Sequence, residues 1–167
     1  MDKSSEAYIV DIKTPCIGVC STGIGDHVCR GCKRFSHEVI NWNAYDQAQK
    51  KAVDSRISSF LSQCVSNKVH IFDHSLLSWQ LKVQKIRHQS HHDPYCHIFS
   101  LLKAGASQIG DPARFGFEIL PSFRATTLIA LRDQIDEELW TLSSAHYDRY
   151  IATPDFLEGI HESGPIG

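Results

Sequence analysis

The chain has 167 residues, enough for one ordinary domain or for a small module with a modest second unit. Hydrophobic residues make up 42% and charged residues 22%, so a packed core is expected, and a formal net charge of −2 argues against a general nucleic-acid coat protein. No run approaches 18 uninterrupted apolar residues, and the start "MDKSSEAYIVDIKTPC" lacks a basic segment followed by an apolar one, so the expected compartment is the cytoplasm.

Charge is unevenly spread. Residues 121–167 hold 3 basic and 8 acidic side chains, which makes the C-terminal part acidic. Histidine is abundant at 10 copies, six of them in residues 70–74 and 87–97.

Residues 1–14 read as a loose lead-in, and the glycine-rich stretch 15–35 reads as loops and turns. Ser36 is a candidate N-cap for a short helix with Glu38 in its first turn, where the helix dipole favours an anion. Asp46 and Gln49 have the form of a capping box opening a helix over about 46–64, whose Val53, Ile57, Phe60, Leu61 and Cys64 share one apolar face. Val69 and Ile71, then Leu77, Trp79, Leu81 and Val83, alternate with polar residues, which predicts a hairpin turning at 73–75. Asp93-Pro94 starts a helix that Gly105 ends, and residues 114–120 form a candidate third strand. The longest helix is expected over about 123–150, with Leu128, Leu131, Ile135, Leu139 and Leu142 along one face. Trp140 and Tyr147 could extend that face as a contact stripe, with core packing the default reading and a partner or dimer face the sharper one, and the tail beyond Thr153-Pro154 is expected to fray.

The predicted fold class is α+β. Residues 1–65 form a small four-cysteine metal knuckle with two helices. Residues 66–155 form an α+β unit of hairpin, helix, strand and long helix, and residues 156–167 a flexible tail. The first part holds too little apolar material to fold on packing alone, so a metal or another staple is needed.

The chemistry concentrates in "PCIGVCSTGIGDHVCRGCKRF". Cys16, Cys20, Cys29 and Cys32 give the spacing C-x3-C-x8-C-x2-C. Four soft donors at this spacing suit a tetrahedral zinc ion or an iron–sulfur cluster, and the spacing serves both equally. In a reducing compartment such a cluster points to metal rather than to disulfides. Arg30, Lys33 and Arg34 flank the second pair and can offset thiolate charge. The same three cations beside Phe35 and Trp42 also offer a weak nucleic-acid edge, although packing of the two rings over the knuckle is the simpler reading.

Pro15, Cys16, Ile17, Cys20, Cys29, Gly31, Cys32, Arg34, Glu38, Ile40 and Trp42 together resemble the domain of unknown function 1289 family, over residues about 14–61. These are short bacterial proteins, also called YdhL-like, described as predicted iron–sulfur proteins. The resemblance implies a metal centre and names no reaction.

His88, His92 and Cys96 stand four apart and form a second candidate metal site, weakened by Pro94, which breaks a helix through them. Gly-x-Ser-x-Gly and phosphate-loop motifs are absent, and Glu137 and Glu138 are neighbours on a helix that point apart. No catalytic residues are assigned. The expected function is therefore that of a metal-binding accessory or interaction protein that meets an unidentified protein partner. An iron–sulfur redox donor to a partner enzyme is the alternative, and a nucleic-acid-binding zinc module the weaker one.

Overall fold

A computed structural model describes residues 10–152. Its described part is α+β, with five α-helices and one two-stranded antiparallel sheet. The expectation of a flexible tail at 156–167 lies outside the described residues.

Helix α1 (Ser36–Asn41) begins after Phe35, whose amide donates to Glu38 Oε1 at 2.8 Å. Helix α2 (Gln47–Ser66) is capped as predicted: Gln49 N donates to Asp46 Oδ1 at 2.8 Å, and Asp46 N to Gln49 Oε1 at 3.0 Å. The apolar face of α2 serves two clusters. Val53 and Ile57 pack with Trp42, Tyr45 and Ile12, whereas Phe60, Leu61 and Cys64 join the main core. The end of the expected lead-in is thus pinned: Ile12 is buried, and its amide donates to Gln47 Oε1 at 2.9 Å.

Strand β1 (Val69–Ile71) pairs with β2 (Phe117–Ile119), placing Val69 opposite Ile119 and Ile71 opposite Phe117. The predicted hairpin does not form. Residues His74–Val83 are helix α3, capped by Asp73, whose Oδ1 accepts from Leu76 N at 2.9 Å. Period two misleads here because Leu77 and Leu81, four apart, are the buried pair, while Trp79 and Val83 are exposed. A strong cap and an i, i+4 apolar pair outweigh alternation whose other members face solvent.

Helix α4 (Pro94–Gly105) has the expected Asp93 cap and first-turn proline, and buries Ile98, Phe99, Leu101 and Leu102. Helix α5 (Leu128–Tyr147) starts later than predicted because Pro121–Phe123 is a separate 3-10 turn and Thr127 supplies the cap to Ala130 N. Leu131, Ile135 and Leu139 of α5 are buried against α2 and α4, so its apolar stripe belongs to the core of this chain.

Gly116 fastens this arrangement. Its carbonyl accepts from both Phe72 N and Asp73 N at 3.0 Å, and its φ is +82°. A Cβ there would lie 2.3 Å from Asp73 O, a backbone atom that cannot yield without moving α3. Gly116→Ala is expected to cost about 3 kcal/mol, read as a lowered melting midpoint by circular dichroism; a shift within error would refute this role.

Candidate metal centre

Residues 28–35 form a tight turn. Val28 and Phe35 make an antiparallel bridge, Cys29 N donates to Arg34 O, and Lys33 N donates to Cys29 O, each at 2.9 Å. Lys33 closes the turn in the left-handed region at φ 65°. Cys29 and Cys32, both buried, are held inside it.

The turn is clamped from two sides. On the α2 side, Arg56 makes a two-pronged pair with Glu38 at 2.7 and 2.6 Å and lies 3.8 Å over the Phe35 ring. On the α5 side, Trp140 Nε1 donates to Val28 O at 3.1 Å, Lys33 Nζ meets Asp136 at 2.8 Å, and Arg30 stacks 3.8 Å over Trp140. Tyr147 stacks on His27 and meets Phe35 edge-on, with centroids 5.1 and 5.2 Å apart. Trp140 and Tyr147, read from sequence as a contact stripe, therefore receive the cysteine turn of their own chain.

The three cations take different roles. Arg34 Nε donates to Cys32 Sγ at 3.3 Å and lies over Trp42, so it is the one that touches a sulfur. Lys33, 2% exposed, donates to Arg30 O, Gly31 O and Asp136. Arg30 reaches Glu137 at 3.3 Å. Phe35 and Trp42 are buried, as the packing reading expects.

The surroundings favour a thiolate at Cys29. Burial alone pushes its thiol up, but amides of Cys32, Ser21 and Gly31, with the Cys32 thiol, outweigh this and bring it from 9.0 down to about 7. Burial leaves Cys32 above its ordinary value against the pull of Arg34. Ser21, which belongs to no motif in the sequence, contributes twice: its amide favours the Cys29 thiolate, and its Oγ accepts from Arg30 N at 2.8 Å.

The other pair lies alongside. Cys29 Sγ donates to Val19 O at 3.7 Å, and a Cβ on Gly31 would stand 2.8 Å from Val19 O and 2.9 Å from Ile17 Cγ1. Gly31 is thus required because the C-x3-C backbone seats directly on the C-x2-C turn. Cys16 and Cys20 themselves are exposed; Cys16 Sγ accepts from Gly18 N at 3.4 Å, and Cys20 Sγ shares a hydrogen bond with Thr22 Oγ1 at 2.9 Å. A tetrahedral sulfur shell around zinc needs sulfurs about 3.8 Å apart. Among the described residues no three of the four thiols gather within 4.8 Å, so this conformation holds a built half-site beside an open one. The donor set, the amides directed at Cys29 and the seat at Gly31 suit a thiolate-bound metal, and Cys16 and Cys20 stand outside the half-site in this conformation.

Residues 14–60 match the family model described as Protein of unknown function (DUF1289). No curated protein and no solved structure matches the chain. The DUF1289 segment carries the cysteine turn, α1 and most of α2, and its clamps on α5 lie outside the match.

The residues of the second candidate site go to separate partners. His88 Nδ1 is 2.8 Å from Ile86 O, His92 Nε2 meets Asp54, and the buried Cys96 thiol donates to Ser58 O at 3.2 Å. Burial pushes the His97 imidazole down against the pull of the Gln89 carbonyl, with His88 and His92 adding to the effect. Glu137 and Glu138 do point apart, to Arg30 and Lys68.

Burial pushes the Cys64 thiol up to about 11 and that of Cys96 to about 12. At pH 8 fewer than about one in a hundred of either is thiolate, the reactive form. Alkylation of metal-free native protein, followed by peptide mass spectrometry, should label Cys16 and Cys20 first and Cys64 and Cys96 only after unfolding. The folded state holds these two protons more tightly than the unfolded one, so stability should fall as pH rises from about 9 toward 11. Early labelling of Cys96 would contradict both expectations.

Proposed function

We propose that this chain is a cytoplasmic bacterial metal-binding accessory protein, in which Cys16, Cys20, Cys29 and Cys32 hold one zinc ion or one iron–sulfur cluster. The observation that carries the reading is the buried turn with three backbone amides favouring a Cys29 thiolate and the opposing cysteine loop seated on Gly31. Hydrogen bonds to sulfur delocalise thiolate charge and tune a metal–thiolate centre. When bound, the metal supplies the cross-link between residues 16–20 and the turn; the chain supplies the position of the turn, through α2 and α5.

The metal's main role in this reading is structural. The main core of α2, α3, α4, α5 and the sheet contains no member of the quartet, so metal loss should loosen the front segment and spare the rest. Structural zinc contributes about 10–16 kcal/mol in small zinc peptides, ample to order such a loop.

An electron-transfer role is the second reading, supported by the exposure of Cys16 and Cys20 beside exposed Ile17, Val19 and Ile24. A partner protein could meet the centre across that rim. Arg30, Lys33 and Arg34, by contrast, are committed to Glu137, Asp136 and Cys32, so the three cations on which the nucleic-acid reading depends are already engaged within the chain.

Protein purified without oxygen should carry one metal centre that depends on the cysteines, and Cys29→Ser or Cys16→Ser should lose it. A colourless protein with zinc supports the structural reading; colour that bleaches reversibly on reduction supports the redox one; wild-type protein with neither metal sinks both. Hydrogen exchange on the metal-free form should show residues 14–25 opening at least about tenfold faster, with the 28–35 turn, α4 and α5 unchanged.

A further inference from the structure

Asp54 on α2 stands apart from the other paired carboxylates. Its side chain is 19% exposed, second only to Glu38 at 6% among the described carboxylates in ion pairs. Glu38 has the permanent guanidinium of Arg56. Asp54 has two imidazoles: His91 Nε2 is 3.0 Å from Oδ2, and His92 Nε2 is 2.8 and 3.0 Å from Oδ1 and Oδ2. A carboxylate this far from water is short of a full-time cation.

We propose that Asp54, His91 and His92 form a second metal site, for a divalent first-row transition metal such as zinc or cobalt, with its remaining positions open to solvent. One ligand atom from each lies within 4.8 Å of the others. Bonds of about 2.1 Å to such a metal put neighbouring ligand atoms about 3.0–3.4 Å apart, close to the nitrogen–oxygen separations already present. Imidazole and carboxylate together suit zinc, cobalt, nickel and iron rather than calcium or magnesium. The two imidazoles, with centroids 4.4 Å apart, converge on one carboxylate.

The loop that presents the two histidines is braced. His92 N donates to Gln89 O at 3.0 Å, and His97 Nε2 lies 2.8 Å from the same carbonyl. Ser62 Oγ of α2 donates to Asp93 Oδ1 at 3.0 Å, and the same oxygen caps α4 through Tyr95 N. The site therefore joins α2 to the entry of α4, at residues separate from the cysteine quartet. The sequence-based set of His88, His92 and Cys96 shares one ligand with it.

Zinc content after equilibrium dialysis of the full chain at micromolar free zinc tests the site. Wild type should hold one equivalent more than His91→Ala, His92→Ala or Asp54→Asn, whatever the cysteines hold. Affinity for that equivalent should fall at least about 100-fold in each variant, with unchanged circular dichroism. Asp54→Asn keeps the shape and one acceptor oxygen while removing the charge, so its loss of zinc separates charge-dependent ligation from packing. Cobalt added to wild type should shift the His91 and His92 ring protons paramagnetically, a readout that needs no variant. Equal zinc content in wild type and variants, or histidine signals unmoved by cobalt, would overturn the proposal.

Discussion

A lysine side chain only 2% exposed is the constraint around which the front of this protein is organised. Removing an ammonium group from water costs several kcal/mol unless oxygens replace the lost hydration. Lys33 finds them in the carbonyls of Arg30 and Gly31 and the carboxylate of Asp136. Two of these belong to its own turn and one to α5, so satisfying the charge both bends the backbone around Cys29 and Cys32 and fixes that bend on the helix. The acidic run on α5 then reads as a docking strip: Asp136 takes Lys33, Glu137 takes Arg30, and Glu138 takes Lys68 in the turn between α2 and β1. The Arg30–Glu137 pair is exposed and contributes little energy alone, whereas Lys68, like Lys33, is buried and takes its oxygens from Glu138 and the Cys64 carbonyl. The value of the run lies in register, since consecutive carboxylates accept cations from two separate segments.

The opposite clamp is built differently. Glu38 collects the Phe35 amide and both prongs of Arg56, and Arg56 also covers the Phe35 ring. One helix, α2, thereby grips the cysteine turn through Arg56, the N-terminal segment through Gln47 and Val53, and the main core through Phe60, Leu61 and Cys64. A helix that shares its length between two apolar clusters couples them mechanically, because neither can shift without tilting the other.

What is legible in the sequence follows from locality. The caps at Asp46 and Asp93 and the cysteine spacing depend on residues within a few positions, and local chemistry decides them. The helix at His74–Val83 is not legible in this way, because Trp79 and Val83 supply an apolar alternation that solvent, not a sheet, receives. The contact of Asp54 with His91 spans 37 positions and depends on how α2 faces the loop before α4, so no local pattern announces it. Ser21 carries no motif; its role arises only once the turn at Cys29 has folded back over it. The acidic character of the C-terminal part is visible in the sequence, but its use is not, because pairing with Arg30 and Lys33 is a tertiary fact.

The unequal halves of the cysteine quartet have a thermodynamic meaning. A ligand stabilises a protein by binding the folded form better than its alternatives, so binding energy goes where the unliganded chain is least ordered. Cys29 and Cys32 sit in a turn already held by Lys33, Arg34, Trp140 and Arg56, and a metal gains little further order there. Cys16 and Cys20 sit on an exposed loop anchored by the close approach of Val19 to Gly31 and by the Arg30 N–Ser21 Oγ hydrogen bond. A metal completing the quartet would spend its coordination energy on that loop, and the turn would serve as the rigid jaw against which it closes. Filling the quartet would then act on the exposed surface around Ile17, Val19 and Ile24, while the main core, which contains none of the four cysteines, would stay folded.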